Sequence, residues 1–481
     1  MINGAVNYFN AMSMNSYGKI SFSHVDLLLF ALYLIGLIVL GYKARQKTTD
    51  SKEDFLLAGR TVTLPAFVAT LVSTWYGGIL GIGEYAYLNG ISNWVIFGLP
   101  YYFFALLFAL FLAKRVRASR LVTIPDKLYQ TYDLKTSMLG GLLTFLLVNP
   151  AAYVLMLGVL VQLLFGWSLA VSVICGAALS VVFLFYGGFR ADVWMNILQF
   201  GLMFLGIGLI LPFAHHHYGG LDFLMQRLPA GHLTLSGGRS APYIMVWFFI
   251  ALWTLVDPSF HQRCYAARDG RVAQRGILWS IFFWMIFDFL TTTAGLYSRA
   301  VLPDLQQPVF AYPMLAEKVL PPAAKGLFYI GLFATIMSTL SSYTFTAAMT
   351  IGNDMVGRIR PDEKSITRWT RIGLALTLAL AIALALWLDS VVAIWYSIGA
   401  TIIPGLLLPL LAGYYRPLAF PARYGFVVML SGWLISTIWL IAGLLNGGRY
   451  WLEIEPMYPG LLATLALILL FKNNRLGRSK R

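Results

Sequence analysis

Apolar runs of about 20 residues recur along this chain between short polar stretches, and a helix needs a run of that length to cross a bilayer core. The pattern predicts spans at about Val25–Tyr42, Leu64–Leu88, Trp94–Leu112, Ser137–Phe165 and Leu169–Tyr186, then a sixth opened by YGGFRADVWMNILQF and ending near Phe213. A seventh follows at about Ile244–Phe260, an eighth at Leu278–Tyr297, a ninth from Gly326 to Arg358 and a tenth at Ile372–Leu388. An eleventh contains Pro404, Gly405 and Pro409, and two more close the chain at about Phe426–Leu444 and Leu461–Leu470. The expectation is an all-α polytopic membrane protein of about 13 transmembrane helices. The segment IPDKLYQTYDLK, after the third span, reads as a short amphipathic piece.

Two spans cannot be regular helices. VSTWYGGILGIGEYAYLNG puts Gly77, Gly78, Gly81, Gly83 and the ionisable Glu84 at membrane depth. Glycines there let the backbone unwind and turn its carbonyls toward a ligand; the alternative is a small-residue face for tight packing. In TLVDPSF a proline removes a donor and Asp257 adds a charge, so the seventh span is the second expected break. A spacing of five spans between the breaks matches two inverted five-helix repeats, whose broken helices mark the binding site.

The ninth span carries Thr335, Ser338, Thr339, Ser341, Ser342, Thr344 and Thr346, and positions 335, 338, 339, 342 and 346 share one helical face. A small hard cation stripped of water needs such neutral oxygens in one place. Close helix packing, or hydroxyls bonding back to the carbonyl one turn earlier, is the alternative explanation.

Composition narrows the class. The chain is 59% hydrophobic and 11% charged, with a mean hydropathy of +0.73, which excludes an ordinary soluble domain. The net charge of +15 falls in clusters between apolar spans, as the positive-inside rule requires, rather than in one patch for nucleic acid. Lys43, Arg45, Lys47, Lys52 and Arg60 put the first polar loop in the cytoplasm and the amino terminus outside. KRVRASR, Arg190, HQRCYAARDGRVAQRG, RIRPDEK and the tail RLGRSKR fall on the same side, so the carboxyl terminus is cytoplasmic. No cleavable signal peptide is evident, because the first twenty residues are polar and the first apolar span is too long for a signal core. Cys175 and Cys264 lie in or beside apolar spans and are expected to be unbridged. HHHYGG, expected on an outer loop, does not read as a metal site, since consecutive loop residues cannot all converge on one ion. Without a nucleotide loop, metal cluster or soluble catalytic domain, no enzyme activity and no cofactor are expected.

The wording ATIMSTLSSYTFTAAMTIGNDMV resembles the eighth core helix of the sodium/solute symporter family, with Thr335, Ser338, Thr339, Leu340, Ser341, Ser342 and Asp354 at the matching positions. Asp26, Tyr33 and Gly41, followed by EDFLLAGR, resemble that family's first peripheral helix. The basic loop after the seventh span and the Pro-Gly break of the eleventh also resemble it. The resemblance implies a leucine-transporter-like fold. Residues 1–62 would hold the outer amino terminus and first peripheral helix, 63–415 a ten-helix core of two repeats (63–214 and 241–415), and 416–481 two peripheral helices and the tail. It further implies sodium-coupled symport of a small polar solute by alternating access in the plasma (bacterial inner) membrane, with sodium, solute and lipid as partners. It speaks to the ion and the fold rather than to the cargo or the oligomeric state.

Carried over residue by residue, the resemblance gives Ser338 and Thr339 hydroxyls and the Thr335 carbonyl as sodium ligands, completed by two second-span carbonyls. Aligning AGR and LVST places that pair at Ser73 and Tyr76; anchoring on GEYAY places it at Leu71 and Thr74. Where many members carry an aspartate in the sixth span this chain has Asn196, so an additional cation site built with Ser341 and Ser342 requires Asp192, one turn away, as its charge. Candidates for the solute, by position near the breaks and the eleventh span, are Trp75, Glu84, Trp253, Asp257 and Tyr396, with Asp288 a further carboxylate whose role the sequence leaves open. Proton coupling or channel-like conduction through Glu84, Asp192 or Asp257 is the alternative mechanism. A sensor on the same scaffold would need a long cytoplasmic signalling domain.

Overall fold

The computed structural model describes residue 20 and residues 22–49, 51–387 and 391–478. Apart from one isolated bridge between Val62 and Ala267, every regular element among them is helical. Ten helices are long and apolar enough to cross a membrane, and the pair Leu64–Trp75 and Ile79–Asn89, bent by 58°, makes an eleventh. Leu169–Val181 and Met457–Lys472 are apolar but shorter.

Lipid removes the usual rule of apolar inside and polar outside, because lipid tails are as apolar as leucine. His24–Lys47 shows the consequence: Leu28, Leu32, Ile35 and Ile38 are exposed, while its inner face is Asp26, Tyr33, Leu37, Gly41 and Ala44. Small and polar residues turn inward, where they have partners. The ninth predicted span becomes the helix Ala324–Met349, followed by a wide turn over Thr350–Val356, and from Phe328 to Met349 every residue is buried. It packs most extensively on the 35-residue helix Leu184–Tyr218. At their crossing a Cβ on Gly331 would lie 2.9 Å from both the Gly206 Cα and the Leu202 carbonyl oxygen, so the two backbones touch.

Both predicted breaks are present. Leu64–Trp75 stops at Tyr76, and the chain resumes as a helix at Ile79. Gly77 and Gly78 are there for closeness. A Cβ on Gly77 would fall 2.3 Å from the Thr339 side chain, and one on Gly78 1.9 Å from the Trp395 ring. The second break divides Ala241–Ile250, Trp253–Val256 and Pro258–Ala266. Asp257 is extended (ψ 118°), and its Oδ1 accepts the Ser259 amide at 2.7 Å and the Phe260 amide at 3.3 Å, capping the last piece behind Pro258.

Three expectations need correction. HQRCYA is helical and buried rather than cytoplasmic loop, because Arg263 has an internal counter-charge. His215, His216 and His217 form the last turn of Leu184–Tyr218 instead of a loop, and no group of acidic, His or Cys residues suited to a metal exists among the described residues. The helix Val391–Tyr414 runs through Pro404 and Pro409 without ending. Cys175 and Cys264 are unbridged. The polar amino-terminal stretch and the end of the basic tail lie outside the described residues.

The basic end of the bundle is closed by a clasp. The Arg60 guanidinium donates to the carbonyls of Tyr265 (3.0 Å) and Leu121 (3.2 Å), and Arg117 Nε donates to that of Ala267 (2.5 Å). Asp54 pairs with Arg190, and Asp126 with Arg358. At Asp54 burial opposes ionisation, but the Thr49 amide and the Arg190 guanidinium outweigh it and hold the carboxyl below its usual range. Its contribution to stability is therefore complete above the ordinary value near 3.8 and is lost as pH falls through the lower folded value.

Two predictions follow from this packing. Gly331→Leu forces apart the two most closely packed helices and should cost about 1–3 kcal/mol, read as a lowered thermal midpoint in detergent. Asp54→Asn should lower that midpoint near neutral pH and flatten its fall at acid pH; an unchanged acid limb would remove Asp54 from the linkage.

Candidate ion and solute site

A helix leaves its last four carbonyls without intrahelical donors, and its dipole makes that end negative. Leu64–Trp75 ends this way inside the bundle, and the hydroxyl-rich helix meets it there. Ser338 Oγ lies 2.7 Å from the Ser73 carbonyl and 2.8 Å from the Thr335 carbonyl, so its single O–H can donate to either. Thr339 Oγ1 donates to the Thr74 carbonyl at 2.6 Å. Gly77 lets Thr339 come this near. Five oxygens from two helices are thus gathered in one buried place, each hydroxyl able to turn a lone pair toward a cation that replaces its proton as the carbonyls' partner.

Sequence reasoning set cation binding against packing for the hydroxyl stripe, and the structure divides it. Thr335 and Thr344 bond back to the carbonyls of Gly331 (2.6 Å) and Leu340 (2.6 Å), as the packing explanation expects. Ser338, Thr339, Ser341 and Ser342 reach other helices. Of the two registers expected for the main-chain oxygens of the broken helix, Ser73 comes from one and Thr74 from the other; the Tyr76 side chain donates its hydroxyl to the Trp284 carbonyl at 3.1 Å.

The second constellation is also assembled. Ser341 Oγ donates to Asp192 Oδ1 at 3.0 Å, and Ser342 Oγ lies 2.8 Å from both Asp192 oxygens. Asn196 Nδ2 donates to Ser342 Oγ at 3.1 Å. Into this group comes a residue that sequence reasoning missed. Arg263 Nη2 donates to Thr74 Oγ1 at 2.8 Å and to Ser342 Oγ at 2.9 Å, and lies 3.5 Å from Asp192 Oδ2. Both side chains of the pair are fully buried. The arginine went unnoticed because it sits in a basic run that reads as a cytoplasmic loop; Asp192, one turn from Asn196, was the available signal.

Beside the first break lies an aromatic cavity. Trp75, Tyr76, Tyr101, Tyr153, Trp253 and Trp395 supply most of its wall, with Tyr343 from the hydroxyl-rich helix and Asp288. Trp75 and Trp253 are where the sequence expected solute contacts. Asp257 is behind the wall, accepting from Trp253 Nε1 at 3.0 Å and from the Tyr343 hydroxyl at 2.9 Å, so it positions two lining rings while capping its helix. Tyr396 is not among the lining residues, where its neighbour Trp395 is, and it bonds Glu455. Glu84 is half-buried on Ile79–Asn89 and does not line the cavity. Asp288 accepts from Tyr102.

The sodium:solute symporter family model matches residues 55–412 of the chain. The sodium/pantothenate symporter of Escherichia coli (strain K12) is 28% identical, covering 95% of this chain and 96% of its own length. High-affinity choline transporter 1 of Drosophila melanogaster is 22% identical over 91% of this chain and 73% of its own length. In fold, the chain is similar to a substrate-bound, outward-open structure of a Na+-coupled sialic acid symporter, with a TM-score of 0.78, 15% identity, and coverage of 94% and 99% of the two chains. These relatives are named for transport and not for catalysis. A match across most of the chain, on a helical membrane fold with these breaks, has one reading: the chain is a multi-pass membrane protein of the sodium:solute symporter family.

Proposed function

We propose that the protein carries a small polar solute into the cell with sodium by alternating access, with thirteen spans arranged as two inverted five-helix repeats, one helix before them and two after. Counting the shorter helices Leu169–Val181 and Met457–Lys472 beside the long ones supports that number. The amino terminus is outside and the carboxyl terminus inside the plasma (bacterial inner) membrane, as the clustering of Arg60, Arg117, Arg190 and Arg358 at one end supports. The observation that carries the reading is the meeting of the Ser338 and Thr339 hydroxyls with the Ser73 and Thr74 carbonyls at the end of the broken helix. Sodium is held by Ser338, Thr339 and the Thr335 carbonyl, with Ser73 and either Thr74 or Tyr76 supplying main-chain oxygens.

The solute occupies the aromatic cavity. Trp75 and Tyr76 belong to the same break as the sodium ligands, so both cargoes act on one joint. Ion and solute that favour the same state raise each other's affinity by the same factor, and this is the coupling. The cavity wall presents ring faces and one carboxylate, Asp288, and no basic side chain among its described residues. That chemistry favours a solute with a cationic or apolar face, which aromatic rings bind well.

Uptake into proteoliposomes tests the reading, with choline, pantothenate, an amino acid and a sugar offered under a sodium or a potassium gradient. Uptake should require sodium. Ser338→Ala with Thr339→Ala should weaken apparent sodium affinity by about tenfold or more, equivalent to about 1.4 kcal/mol. Uptake driven by a pH gradient and indifferent to sodium would overturn it in favour of proton coupling.

A further inference from the structure

We propose that Arg263 is a built-in cation: its guanidinium holds the place that a second transported sodium ion would take beside Asp192, Ser341 and Ser342, and so limits the protein to one sodium per cycle. The inference rests on the sodium reading of Ser338 and Thr339. A fully buried carboxylate needs a positive partner, and an ion or a side chain can supply it. Asp192 already has the surroundings of an ion ligand, with hydroxyls of Ser341 at 3.0 Å and Ser342 at 2.8 Å. Among the described residues the positive group that reaches it is Arg263, at 3.5 Å, which also donates to the same Ser342 hydroxyl.

Two details argue that the guanidinium stands in for an ion. Its Nε and the Asn196 Oδ1 are both buried without a hydrogen-bond partner among the described residues, so the arginine satisfies this pocket incompletely and leaves an oxygen free to ligate. Arg263 also donates to the hydroxyl of Thr74, whose carbonyl accepts from Thr339, so the two positive positions are neighbours on one residue. Unlike sodium, a guanidinium cannot dissociate. It moves only with Pro258–Ala266, the helix that Asp257 caps, and ties that half of the second broken helix to Leu184–Tyr218 and Ala324–Met349. A second ion entering beside it would meet like charge.

The test counts bound ions on purified full-length protein by equilibrium dialysis of radioactive sodium, which needs no knowledge of the solute. The variants are Arg263→Ala and Arg263→Ala with Asp192→Asn. The expected result is one sodium for the unaltered protein, two for Arg263→Ala with a steeper sodium dependence of thermal stability, and one again for the double variant. Two sodium ions on the unaltered protein would overturn the proposal, as would one on both it and Arg263→Ala. Collapse of Arg263→Ala in sodium buffer would overturn it too, since sodium should fill the vacated place. No sodium on the unaltered protein but one on Arg263→Ala would support the built-in cation while overturning the Ser338 and Thr339 reading; no sodium on either would overturn both.

Discussion

A helix that ends inside an apolar slab leaves carbonyls that water cannot reach, and the centre of this structure is arranged around those at the end of Leu64–Trp75. They require donors or a cation. The hydroxyl-rich helix brings donors, and to do so it must lie against the break, which demands glycine at position 77. Burial of that helix along its length then requires every other hydroxyl to find a partner, on its own preceding turn or on Leu184–Tyr218. The Gly206–Gly331 contact, the glycines of the break and the pairing of Asp192 with Arg263 all follow from placing this one polar helix in the middle of the protein.

Much of this was legible in the sequence. Span length and the alternation of apolar runs with basic clusters located nearly every long helix. Both breaks were visible as local contradictions, glycines with a glutamate in one and Asp257-Pro258 in the other. Where the reading failed, it failed on partners. The basic run around Arg263 looks like cytoplasmic loop until Asp192 is brought next to it by a separate helix. Pro404 and Pro409 look like a break, yet the helix passes through both. Tyr396 and Trp395 are adjacent, and only packing decides which ring reaches the cavity.

Asp257 and Asp192 show why a buried carboxylate in a membrane protein is not by itself a solute contact. Asp257 accepts two amides, a hydroxyl, an indole and a phenol, so its charge is spread over its helix cap and two cavity rings. Asp192 is compensated by a guanidinium. Asp288 differs, since it accepts from the Tyr102 hydroxyl and is one of the residues lining the cavity.

The same distinction bears on how ion and solute share one joint. On the proposed reading, a sodium ion between the Ser73 and Thr74 carbonyls and the hydroxyls opposite would strengthen the contact of the first broken helix with the hydroxyl-rich helix, and its departure would return that contact to hydrogen bonds alone. The second broken helix is tied to the same neighbours by Arg263, a charge that stays whatever the ion does. On that reading one broken helix would answer to the ion while the other would stay held. The aromatic cavity lies between them, with Trp75 on the first and Trp253 on the second. A solute touching both rings, as proposed, would sense their relative position, and through it the presence of the ion.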